Sequence, residues 1–77
     1  MNIAKLLELL PDSVKLDIID FTDVKLKTGG AAVRVTLDRL LTDAEKSKMQ
    51  NSHIVGLDCV AQYRYAPEIK KSYFYVK

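Results

Sequence analysis

From His53 to Tyr65 the chain reads HIVGLDCVAQYRY, and its side chains sort by parity. From Val55 on, Val55, Leu57, Cys59, Ala61, Tyr63 and Tyr65 hold the odd positions, and Gly56, Asp58, Val60, Gln62 and Arg64 the even ones. A strand turns successive side chains to opposite faces, so this alternation predicts a strand with one buried face and one wet face. The odd set, with Cys59 at its centre, is expected to turn toward the core. Such a strand needs partners, and the rest of the sequence supplies three.

The nearest partner follows a loop over Ala66-Pro67-Glu68-Ile69-Lys70. In the closing stretch from Lys71 to Lys77, Phe74 and Val76 share one face while Tyr73, Tyr75 and the flanking lysines share the other. Upstream, Thr28-Gly29-Gly30 supplies the positive φ angles of a tight hairpin turn. Beyond it Ala31, Val33, Val35 and Leu37 alternate with Ala32, Arg34, Thr36 and Asp38. The run before the turn, Val14 to Lys27, is dense in β-branched and aromatic residues and reads as strand. Its apolar parity changes twice, which predicts bulges or a break near Asp20 to Asp23. Val14, Ile18 and Phe21 also fit a helical spacing, the competing reading.

Two helices complete the pattern. Asn2 can cap a short helix whose Ile3, Leu6, Leu7 and Leu10 fall on one face, with Lys5 and Glu8 turned away and Leu9 at the margin. Pro11 ends it, because the residue before a proline is pushed out of the α region. Thr42-Asp43-Ala44-Glu45 matches a capping box opening a second helix that runs to Gln50 or Asn51. That helix is polar apart from Ala44 and Met49, so it is expected to be weakly held. The expected fold is α+β in the order αββαββ, a single compact domain over residues 1–77. Its one four-stranded, mostly antiparallel sheet has the helices packed on one face. Strand order 2-1-3-4 would make every neighbouring pair antiparallel.

A 77-residue chain buries only about 60% of the surface its unfolded form exposes, so it leans on a staple or on self-association. One cysteine excludes an internal disulfide, and one histidine with one cysteine falls short of a tetrahedral zinc set. Asp17, Asp20 and Asp23 lack the close spacing, the glycine turn and the bidentate glutamate of a calcium loop. The paired glycines match neither a Walker loop nor a dinucleotide loop. No cofactor or metal is expected. The net charge of +2 argues against a polyanion binder working by bulk electrostatics. Its distribution is uneven: Asp12, Asp17, Asp20 and Asp23 against Lys15 make one end acidic, while Arg64, Lys70, Lys71 and Lys77 against Glu68 make the other basic. No run approaches the roughly 18 apolar residues of a membrane span, and Lys5 and Glu8 spoil a signal peptide, so a cytoplasmic protein without membrane contact is expected.

Catalytic inventory is thin. His53 and Cys59 are the only base and nucleophile of note, and six residues of strand hold them about 20 Å apart. A non-enzymatic interaction module is the reading that remains, acting on a protein partner as an accessory subunit or inhibitor of the kind viral or plasmid genomes encode. Its partner-binding residues are expected to be Arg64, Lys71, Tyr73, Tyr75 and Lys77, an aromatic and basic patch of the sort concentrated at interface centres. Single-stranded nucleic acid is the alternative partner, since tyrosines on an open sheet can stack bases, although the RNP1 string is missing. A homodimer is expected from the thin core and exposed strand edges.

Overall fold

The computed structural model describes residues 3–50, 52–62 and 64–77. Asn2, Asn51 and Tyr63 lie outside the described residues, as does the Ile3 side chain. The element order is α1 (Ile3–Glu8), α2 (Asp12–Lys15), β1 (Ile18–Lys25), β2 (Ala31–Leu37), α3 (Asp43–Lys48), β3 (Ile54–Gln62) and β4 (Lys70–Val76). The fold is α+β, with short helices and one four-stranded antiparallel sheet.

The sheet order is β1-β2-β4-β3, not 2-1-3-4. Both orders make every neighbouring pair antiparallel, so hairpin pairing alone does not choose between them. Burial does. β2 buries Val33, Val35 and Leu37, and β4 buries Ser72, Phe74 and Val76; side by side at the centre, these two strands give the core its floor. Against it pack Leu6 and Leu10 from α1 and the turn after it, Val14 from α2, Leu41, and Met49 at the end of α3.

Three local expectations are corrected. The strand does not begin at Val14: Pro11 starts a second short helix, with Val14 and Lys15 donating to the Pro11 carbonyl, and Val14 is fully buried. A proline at a helix start loses no hydrogen bond, and its fixed φ suits the turn. The parity break in β1 falls between Ile18 and Asp20, after which Phe21 stands opposite Val35. The largest correction concerns β3. Ile54 is its buried residue, while Val55 pairs with Tyr75, Cys59 with Tyr73 and Ala61 with Lys71. Directly opposed residues share a face, so Val55, Cys59 and Ala61 turn away from the core. The ladder slips between Val55 and Cys59, where Gly56 takes φ +73°, and among the described residues Leu57 alone of the odd set still packs on the core.

α3 is held more firmly than its composition implies. The capping box forms, with Glu45 N–H donating to Thr42 Oγ1 at 3.1 Å and Thr42 N–H to Glu45 Oε1 at 3.0 Å. Met49 is fully buried, whereas Ala44 is exposed. Glu45 is itself buried, and Arg39 grips both its oxygens, Nη1 to Oε1 and Nη2 to Oε2, each at 2.7 Å. The same guanidinium donates from Nε to Asp17 at 2.6 Å, and Ser13 Oγ donates to Glu45 Oε2 at 2.7 Å. Ser72 Oγ in turn donates to the Arg39 carbonyl at 2.7 Å. One ion pair thus ties α2, the entry to β1, α3 and β4 together.

Candidate binding face

With the helices on one side, the other side of the sheet is left to the residues of opposite parity. β4 sets its pattern. Phe74 and Val76 point into the core, which forces Lys71, Tyr73 and Tyr75 onto the opposite side. Tyr73 stands between Thr36 of β2 and Cys59 of β3, and Tyr75 between Arg34 of β2 and Val55 of β3. Both tyrosines are half-buried, and their rings meet edge to face, 6.0 Å between centroids and 90° between planes.

The slip in β3 makes room for them. A Cβ on Gly56 would lie 3.2 Å from Cδ2 of Tyr75 and 3.4 Å from the Cys59 sulfur, so only glycine lets that ring lie over the strand while also accepting φ +73°. Cys59, placed at the core centre by the sequence pattern, belongs to this face. The electrostatic influence of the Cys59 side chain and its hydrogen bond to the phenol, followed by partial desolvation and Tyr75, push the Tyr73 hydroxyl above the ordinary range, with Arg34 pulling the other way. Tyr73 therefore stays protonated and able to donate at neutral pH.

The five expected residues separate into two groups. Lys71, Tyr73 and Tyr75 lie along β4 on the helix-free side, with Lys71 Nζ 3.8 Å from Asp38 Oδ1. Lys77 follows the end of the same strand, exposed, its N–H bonded to the His53 carbonyl at 2.8 Å. Arg64 sits elsewhere. It lies in the turn of the β3–β4 hairpin, its guanidinium 5.8 Å from the centre of the exposed Tyr65 ring. In its stand comes a residue the sequence reading passed over: Arg34, half-buried directly across from Tyr75. Its wet-face parity in the second strand was visible, but strand order 2-1-3-4 would have set β2 and β4 at opposite edges.

The cleft beside α3, lined in part by Leu40, Lys46, Asp58 and Val60, holds about 80 Å³, far below the roughly 300–1,000 Å³ of ordinary ligand sites. Lys46 closes one side of it with an ion pair to Asp58 at 3.0 Å. Among the described residues no three His, Cys, Asp or Glu side chains converge as a ligand set; Asp17 turns to Arg39 and Asp20 accepts from Thr22 at 2.9 Å. No helix among them is long and apolar enough to cross a membrane. Comparison with protein-family models, curated proteins and solved structures returned no match.

Proposed function

We propose that this chain is a non-enzymatic interaction module that docks a protein partner on the helix-free face of its sheet. The observation that carries the reading is the perpendicular Tyr73–Tyr75 pair on a central strand of a face without helices, bordered by Arg34, Lys71 and Lys77. Tyrosine offers a large contact area with few rotors to freeze, and arginine and tyrosine lead the residues that dominate interface energies. The rigid strand beneath fixes both rings before contact, which lowers the entropic cost of docking. The cationic border favours an acidic surface on the partner.

Perpendicular rings weigh against the nucleic-acid alternative. A base-stacking platform lays its aromatic faces parallel to the sheet, and two rings at 90° to one another cannot both do so. Tyr73→Ser/Tyr75→Ser is the decisive variant for either reading. Wild-type chain used as bait in a lysate of its native host is expected to retain a partner that the double variant loses, while Arg64→Ala retains it. Affinity for single-stranded oligonucleotides that falls steeply with salt would instead favour nucleic acid.

A further inference from the structure

The outer strands of a sheet carry a row of backbone groups without partners, and proteins guard them with bulges, charges or prolines. Here the two outer strands differ. β3 is interrupted in mid-strand between Val55 and Cys59. β1 has its irregularity at the start, and from Asp20 to Lys25 each residue stays in register with β2. Among the described residues β1 pairs with β2 alone. Apolar side chains lie exposed on it, Ile19 at 49% and Phe21 at 37%, with Leu16, just before the strand, at 86%.

We propose that a second copy of this chain pairs with β1, antiparallel, about a two-fold axis through Phe21. Charge order along the strand selects the occupant. Asp17, Asp20 and Asp23 precede Lys25 and Lys27, so antiparallel self-pairing brings the acidic end of one copy to the basic end of the other, whereas parallel pairing would set like against like. Opposed residues share a face, so the axis must pass through a residue and not between two. An axis on Asp20 or Asp23 would oppose two carboxylates, and one on Thr22 or Val24 would set the exposed Phe21 ring against a charged side chain, Asp23 or Lys27. An axis on Phe21 opposes two phenyl rings, sets Asp17 against Lys25 and Asp20 against the Thr22 hydroxyl, and leaves Asp23 across from Ile19. The result is an eight-stranded sheet with both tyrosine faces on one side. Five inter-strand steps separate the two β4 strands, about 24 Å.

This pairing goes beyond the docking role proposed above and does not depend on it. Sedimentation equilibrium at about 100 µM, where an association of micromolar dissociation constant is saturated, is expected to give the dimer mass for the wild type. Phe21→Lys, which places two cations on the axis, is expected to give the monomer mass with unchanged circular dichroism. A monomeric wild type, a dimeric Phe21→Lys, or a dimer lost on Tyr73→Ser/Tyr75→Ser instead would overturn the proposal. Should Phe21→Lys fail to fold, Phe21→Cys in a Cys59→Ala background decides. Opposed Cβ atoms about 5 Å apart are expected to oxidise to a covalent dimer that Thr28→Cys does not form, and no such selectivity would count against the axis.

Discussion

The two faces of β4 belong to the same seven residues and live in different environments. Ser72, Phe74 and Val76 are shut beneath three short helices, whereas Lys71, Tyr73 and Tyr75 are half-open on a side with no helix over it. The closed face is over-determined: apolar contacts fill it and the Arg39–Glu45 pair pins its rim. Among the described residues, the open face is held by cross-strand neighbours and by the Tyr73–Tyr75 ring contact. A strand built this way separates what the fold requires from what a partner can use.

The harshest way to break that contrast is Phe74→Ala. Phe74 is fully buried at the centre of the core, and truncation costs about 3–5 kcal/mol. A chain of this length holds about 4–12 kcal/mol in all, so denaturant melts are expected to show a largely unfolded or barely cooperative protein.

Next comes Arg39→Gln, which strands the buried Glu45 carboxylate. We expect a loss of about 2 kcal/mol, less than for a fully enclosed pair because the guanidinium is partly open to solvent. Acid titration gives the sign. Hydrogen bonds from Arg39, helped by Thr42 and Ser13 against the opposing effect of burial, hold Glu45 far below its ordinary value near 4.5. The pair's contribution is therefore fully present above that value, and is lost progressively as pH falls below it toward the depressed folded value. Thermal melts across this range should fall steeply for the wild type and more gently for Arg39→Gln.

Gly56→Ala sharpens the contrast from the other side. Positive φ costs a non-glycine residue about 1–2 kcal/mol, and the new methyl presses on the Tyr75 ring. A modest loss of stability is expected together with a disproportionate loss of partner retention, since the displaced ring belongs to the open face.

These contrasts also explain how far the amino-acid sequence could be read. In β4 every other residue is fully buried, so parity alone sorted Phe74 from Tyr73. The same logic misassigned Val55, Cys59 and Ala61, because the slip around Gly56 resets the parity and a lone glycine in an alternating run does not announce how many residues it displaces. Val14 looked like strand since β-branching outweighed the proline three residues earlier. Arg39 and Glu45 carry no local sign of their pairing beyond the capping box, because Ser13 and Asp17 reach them from across the fold. Arg34 alternates with the buried Val33 and Val35, which marks its face, but only the strand order makes it a neighbour of Tyr75.

The account stands most directly on equilibrium urea unfolding of Tyr73→Ser/Tyr75→Ser beside the wild type. Cross-strand aromatic contacts contribute up to about 1 kcal/mol each, so the double variant is expected to unfold in one cooperative transition with an unchanged slope and a midpoint lowered only slightly. A transition that broadens or vanishes, as for Phe74→Ala, would show that the tyrosines hold the sheet together and are not free for a partner.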